Sequence, residues 1–128
     1  MSEKGLRYNT GKPQYSLIDY TLLEPMVRTL EYGAHKYSIF EDEQGNQIKG
    51  SEVTIEDSKK LKIISSGRGN WKKGFPIQEL LDSAYRHINA YNNSEIIDEE
   101  SGCHHLGNAL CNIMFILNQE KLNKLKIK

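Results

Sequence analysis

Apolar residues recur at helical spacing in three stretches of the chain. The stretches cover about residues 21–37, 78–92 and 103–119, and in each one the apolar positions repeat at steps of three and four. Pro25 suits the first turn of the first helix, and the last residues of the chain are expected to extend the third helix and then fray. The pattern therefore predicts three long amphipathic helices.

The stretch between the first two helices, about residues 39–76, shows no such periodicity. It is rich in glycine and charge, and its scattered apolar residues suit short strands or a hairpin; they are Ile48, Val53, Ile55, Ile63 and Ile64. A long charged excursion between helices is typical of a lid or an appended flap, and a partly disordered insertion is the alternative. We call residues 39–68 the insertion.

These patterns predict an all-α fold over a single domain, residues 1–128. The domain would carry an irregular or short β-hairpin insertion at about 39–68 and an extended polar arm over residues 1–16. Because the insertion is expected to be an appendage, we predict that deletion of about residues 41–66 leaves a folded helical protein.

The charge balance narrows the range of partners. The chain has 17 basic and 17 acidic residues and a formal net charge of zero, which argues against general binding to duplex nucleic acid. No apolar run reaches the roughly 18 residues of a membrane span, and the first residues lack the apolar core of a signal peptide. Cys103 and Cys111 are interpreted as reduced thiols. These features predict a cytoplasmic protein without a membrane partner.

A narrow polar line runs along the third helix. His105, Asn108 and Asn112 follow one another at steps of three and four, and apolar residues flank them on both sides. Buried polar groups need partners, so the line predicts the wall of an internal site. A subunit interface or a satisfied polar network in the core is the alternative.

The second helix carries acidic residues that suit a facing site. Glu79 and Asp82 are three residues apart and project together, with Arg86 one turn further. Paired carboxylates that face polar groups on a neighbouring helix are how helix bundles bind divalent cations such as Mg²⁺. Such a pair is weak on its own, because solvated helices often contain one. We predict that this acidic side faces His105 and Asn108 across a shared cavity.

Side chains that suit a phosphate chain and a base occur in several segments. The cations are Arg7, Lys12, Lys36, Lys72, Lys73 and Arg86, and the aromatic residues are Tyr8, Tyr37 and Trp71. Glycines beside the basic residues would let the backbone approach a ligand closely. Taken singly, each lysine is more often a surface charge, and a tryptophan is more often a core residue.

Five ordered blocks of the chain carry a family resemblance. They are RYNTGKPQYSLIDY, LEYGAHKY, GNWKKGF, LLDSAYRHINAY and DEESGCHHLGNALCNIMFIL. Together they resemble the phage-encoded dATP/dGTP diphosphohydrolase family, a branch of the MazG-like all-α nucleotide pyrophosphohydrolases. The resemblance implies a MazG-like helical bundle that is completed by a homodimer or homotetramer, in the cytoplasm of an infected bacterial host.

The resemblance also implies a reaction, the hydrolysis of a purine deoxynucleoside triphosphate to its monophosphate and pyrophosphate with Mg²⁺ or Mn²⁺. Glu79 and Asp82 match the first metal-binding pair of MazG-like enzymes, and His105 and Asn108 fall at the second pair. Asp98 or Glu100 would act as general base. The expected substrate-binding residues are Arg7, Lys12, Lys36, Asn70, Trp71, Lys72, Arg86 and Asn112.

Two departures from the family pattern keep other functions open. A second histidine is common where Asn108 stands, so metal binding is expected to be weaker or to recruit Asp98 or Glu100. The segment from Ser38 to Arg68 also separates blocks that are almost adjacent in the family. One alternative is a non-catalytic protein that binds and sequesters a nucleotide or a nucleotide-derived signal. The other is a helical protein whose polar line forms an oligomer interface.

Overall fold

Three long helices form the framework of the chain. The computed structural model describes residues 5–8 and 10–127. Its helices are α1 (Glu24–Lys36), the short α2 (Ile55–Ser58), α3 (Ile77–Asn92) and α4 (His105–Ile127). α3 and α4 pack against each other, and α1 lies against α4. The three helices that the periodicity predicts are confirmed, and α4 continues well beyond residue 119.

The expected all-α class is wrong, because the insertion forms a three-stranded antiparallel sheet. β1 (Ile39–Glu41) lies between β2 (Gln47–Lys49) and β3 (Lys62–Ser65). Phe40 of β1 pairs with Ile48 on one side and with Ile63 on the other. The short strands expected around Ile48, Ile63 and Ile64 are confirmed, whereas Val53 and Ile55 lie outside the sheet. Strands this short are stable here because three of them combine. The chain therefore has a mixed helical and sheet architecture.

The sheet is joined closely to the C-terminal end of α1. A Cβ atom at Gly50 would collide with the carbonyl oxygen of His35, and one at Gly67 would collide with that of Ala34. The same His35 places its Nε2 atom 2.6 Å from the carbonyl oxygen of Val53. These contacts make the insertion an ordered part of the structure, so the alternative of a partly disordered segment is not supported.

The core lies mainly where α3, α4 and α1 meet. Its buried apolar side chains are Phe40, Leu80, Ala84, Cys103, Ala109 and Cys111. Gly107 of α4 lies against α1, where a Cβ atom would collide with the carbonyl oxygen of Pro25. Both cysteines are free thiols, as expected. The glycine lets the backbones of α1 and α4 approach closely at their crossing.

The arm before α1 lies on the surface. The predicted arm includes positions 1–4 and 9, which lie outside the described residues. Residues 5–8 and 10–16 are exposed, and short 3-10 turns follow at Tyr15–Leu17 and Tyr20–Leu23. No helix in the described part of the chain is long and apolar enough to cross a membrane.

Candidate functional site

The polar line of α4 lies against α3. His105 and Asn112 are both buried. The side-chain amide of Asn112 donates a hydrogen bond of 3.1 Å to Ser83 Oγ, and His105 Nδ1 lies 2.8 Å from His87 Nδ1. Ser83 and His87 of α3 therefore contact the two buried residues of the polar line, Asn112 and His105.

His105 connects a second imidazole to a carboxylate. Its Nε2 atom lies 3.1 Å from Glu95 Oε2, in the loop that follows α3. The contact between the two Nδ1 atoms requires one ring to donate a proton and the other to accept it. Burial lowers the pKa of His87, although Asp98 acts in the opposite direction. A neutral His87 is favoured, so the network Glu95–His105–His87 can hold or move a proton between α3 and α4.

The acidic loop places Asp98 and Glu100 in different settings. Partial burial would raise the pKa of Asp98, but hydrogen bonds from the hydroxyl group and the backbone of Ser101 outweigh it and lower the pKa. Glu100 is exposed, and its Oε1 atom lies 3.9 Å from Lys36 Nζ. Of the two expected general bases, Asp98 is thus fixed in position and held in its ionised form.

The four expected metal ligands are not brought together. Glu79 and Asp82 lie on the exposed side of α3, where Asp82 Oδ1 accepts a hydrogen bond of 3.0 Å from Gln78 Nε2. His105 is engaged by His87 and Glu95. Asn108 donates its side-chain amide to the carbonyl oxygen of His104. In residues 5–8 and 10–127, no three His, Cys, Asp or Glu side chains are placed to hold a metal ion. These residues of the single chain therefore do not fit a Mg²⁺ or Mn²⁺ site on their own.

A cleft of about 790 Å³ opens between α1, the turn at residues 67–75 and Phe115 of α4. Four of the expected substrate-binding residues line it, namely Lys36, Asn70, Trp71 and Lys72. The Trp71 ring stacks on Phe115 with 5.3 Å between centroids, and Lys72 Nζ lies 5.6 Å from the centroid of the Trp71 ring. Trp71 thus forms part of the wall of the cleft. A base could stack on the ring face of Trp71 that Lys72 covers only if Lys72 moved away.

α4 holds the turn that forms this wall. The side-chain amide of Asn118 donates to the carbonyl oxygens of Trp71 and Lys72, at 3.3 and 3.4 Å. Gln119 Oε1 accepts a hydrogen bond of 3.0 Å from the backbone N–H of Phe75. The sequence did not indicate that Asn118 and Gln119 contact this turn, because polar residues near the end of a helix usually face solvent.

The remaining expected substrate-binding residues lie elsewhere. Arg7 and Lys12 are exposed in the arm, Arg86 is exposed on α3, and Asn112 is buried between α3 and α4. The cleft also includes Arg68, which the sequence interpretation omitted. Its setting between Gly67 and Gly69 is the same arrangement of a basic residue beside glycine that marks Lys12 and Lys73.

The comparisons with known proteins identify the family. A family model described as "dATP/dGTP diphosphohydrolase, N-terminal" matches residues 2–127. The chain belongs to this family, as its sequence blocks indicate. It is also 30% identical over 112 residues to a protein of Salmonella phage PMBT28 named dATP/dGTP diphosphohydrolase.

The match to the phage protein is partial in length. It covers 88% of this chain but 28% of the relative, so the chain spans little more than a quarter of that protein. No solved structure matches the chain, and the expected MazG-like architecture is not confirmed.

Proposed function

We propose that the chain takes part in the metal-dependent hydrolysis of a purine deoxynucleoside triphosphate, dATP or dGTP, to its monophosphate and pyrophosphate. The reaction class is supported by the family and by the name of the phage relative. The structural observation that carries the proposal is the cleft, because it gathers cations and aromatic rings from distant segments. Its setting would be the cytoplasm of an infected bacterial host.

The charges around the cleft favour an anionic ligand. Three cations line it, Lys36, Arg68 and Lys72, against one carboxylate, Glu31. Arg28 partly offsets this carboxylate, since its guanidinium lies 3.1 Å from Glu31 Oε1 and 3.2 Å from Glu24 Oε1. A triphosphate carries several negative charges and would gain from such a surface. The rings in the same wall would contact the base.

The proton chemistry would fall to the groups between α3 and α4. Attack of water on the α-phosphorus requires a group that accepts its proton. Asp98 is held ionised by Ser101 and lies in the same loop as Glu100, which approaches Lys36 of the cleft. The network Glu95–His105–His87 is next to this loop and offers a second acceptor. Since the expected metal ligands are apart, we assign Mg²⁺ or Mn²⁺ to no side chain of the described residues.

A specific observation favours the second candidate, a protein that binds and sequesters a nucleotide without cleaving it. Glu79 and Asp82 lie exposed on α3, whereas the cations that would bind phosphate line the cleft. A site with binding groups and no assembled metal ligands would hold a nucleotide and leave it intact.

One experiment separates the candidates. The protein is incubated with each common ribo- and deoxyribonucleoside triphosphate, with Mg²⁺, with Mn²⁺ or with EDTA, and pyrophosphate release is measured beside calorimetric binding. Metal-dependent release from dATP or dGTP that disappears in Glu79→Ala and Asp82→Ala supports the hydrolase. The exposed Glu120→Ala on α4 serves as the matched carboxylate control.

The other outcomes are equally informative. Binding without release of pyrophosphate supports the sequestering protein. Lys36→Ala and Lys72→Ala should then each weaken binding about tenfold, while Lys60→Ala, on the exposed surface of the insertion, should not. Absence of both binding and release would contradict the two nucleotide functions. The polar line would not then account for an oligomer, because His105 and Asn112 are buried against α3 within one chain.

A further inference from the structure

The turn that carries Arg68 is fixed to the end of α1. The backbone N–H of Gly67 donates a hydrogen bond of 2.8 Å to Ser38 Oγ, and this buried hydroxyl donates in turn to the carbonyl oxygen of Ala34 at 2.7 Å. There is no room for a side chain at Gly67, because a Cβ atom would collide with that same carbonyl group. The position of the backbone just before Arg68 is therefore set by α1.

The turn is also closed on its other side. Asn70 N–H donates to the carbonyl oxygen of Gly67 at 3.1 Å, and Arg68 N–H donates to Ser66 Oγ at 3.1 Å. Gly69 adopts a positive φ of 84°, a conformation that glycine accepts without strain. Two hydrogen bonds and one left-handed residue thus hold Arg68 at the rim of the cleft in a defined backbone conformation.

Arg68 differs from the other two cations of the cleft in its contacts. Lys36 approaches Glu100, and Lys72 lies over Trp71. Arg68 is exposed, and none of the ion pairs within the described part of the chain involves its guanidinium group. A planar guanidinium group with five donors matches the oxygens of a phosphate better than an ammonium group does.

We propose that Arg68 is the phosphate-chain ligand of the cleft, contributed by the insertion, and that it binds the terminal phosphates through paired hydrogen bonds. The identity of the ligand as a nucleoside triphosphate rests on the proposed function. The insertion then acts as a wall of the binding site, because docking against Ser38 and Ala34 places Arg68 in the cleft that Lys36 also lines.

The test compares ligands that differ in their phosphates. Affinities of wild type, Arg68→Ala and Arg68→Lys are measured by calorimetry for dATP, dAMP, deoxyadenosine and inorganic tripolyphosphate. Arg68→Ala should weaken binding of dATP and tripolyphosphate by about 10- to 100-fold, dAMP less, and deoxyadenosine hardly at all. Arg68→Lys should recover part of the loss, since it keeps the charge but not the paired donors.

Lys62→Ala is the matched control, because it removes one exposed cation of the insertion from β3, outside the cleft. Equal losses for dATP and deoxyadenosine, or no loss for either, would overturn the proposal. Since the Arg68 side chain is exposed, the variant should melt at the wild-type temperature, and circular dichroism checks this. Wild-type protein that binds tripolyphosphate through Arg68 but binds no nucleotide would leave this inference standing while the proposed function fails. Binding of neither would reject both.

Discussion

Cys111 is the only fully buried side chain in the described part of the chain, at 1% exposure. Its Sγ atom donates to the carbonyl oxygen of Met26, and this contact joins α4 to α1. Burial raises the pKa of the Cys111 thiol from 9.0 to about 12, and Cys103 adds to the effect. The thiol therefore stays protonated, and only unfolding allows it to ionise near its ordinary pKa.

This pKa gives a prediction for stability in alkali. The unfolded chain loses the Cys111 proton above about pH 9, whereas the folded chain keeps it, so the unfolded state binds fewer protons. The free energy of unfolding should therefore fall as the pH rises above 9, by up to about 1.4 kcal/mol per pH unit from this group. Urea titrations at pH 8, 9 and 10 measure the slope.

The control for this prediction is the variant Cys111→Ala, in which the contribution to the slope should vanish. Cys103→Ala should keep most of it. A folded protein whose Cys111 reacts with a thiol reagent at pH 8 as fast as the urea-unfolded chain would contradict the assignment.

Among the secondary-structure elements, the crossing of α1 and α4 depends on one glycine. Gly107→Ala would press a methyl group into the carbonyl group of Pro25, and we expect a loss of about 1–3 kcal/mol of stability. Gly33→Ala is the matched control, because Gly33 also lies inside a helix but has no atom within 4 Å of the added carbon. It should stabilise the protein by about 0.5–1 kcal/mol through helix propensity. Thermal melting of both variants measures the contrast, and equal shifts would contradict the close crossing.

The insertion can also be tested as an element. The main helical packing joins α3 to α4 and α1 to α4, and the sheet contributes little to it. Deletion of residues 41–66 should therefore leave a helical protein that melts cooperatively. Nucleotide affinity should fall, because the deletion removes Ser66, whose hydroxyl oxygen accepts a hydrogen bond from Arg68 N–H. Circular dichroism follows the melting, and a non-cooperative transition would show that the sheet is part of the folding core.

In the molecule as a whole, α3 and α4 leave large apolar side chains exposed. They include Tyr85, Ile88, Leu110, Ile113 and Leu117, all between 36% and 62% exposed. On α4, the residues Leu110, Ile113 and Leu117 follow one another at steps of three and four, which places them on one face. An exposed apolar face on a helix can mark an interaction surface, and we propose that a second copy of the chain covers it.

The proposed homodimer or homotetramer is tested by light scattering on the purified protein. Leu117→Glu should shift the mass toward the monomer, because a charge in an apolar interface loses its hydration without a partner. Ile55→Glu adds the same charge at an exposed position of α2 and should leave the mass unchanged. A wild-type protein that is monomeric at high concentration would reject the proposal.

The local pattern of apolar residues was sufficient to predict the long helices of this structure. The apolar repeat around Leu80 and Ala84, and the one around Ala109 and Ile113, predicted α3 and α4, because the period of 3.6 residues belongs to each helix alone. Short strands were expected around Ile48, Ile63 and Ile64, but their assembly into a three-stranded sheet was not, because strands of three or four residues are stabilised only by pairing with one another. Phe40 gains its burial only when β2 and β3 flank it.

The sequence could name the residue types of the candidate site but could not say which of them meet. Lys36 and Lys72 line one cleft because α1 and the turn before α3 pack on the same side of α4, a result of contacts between distant residues. Contacts between distant residues also decide which face of α3 packs against α4. Successive residues of a helix point about 100° apart, so a small rotation of α3 would bring other side chains to α4. Packing placed Ser83 and His87 against the polar line, and left Glu79 exposed, because burial of Leu80 and Ala84 fixes that rotation.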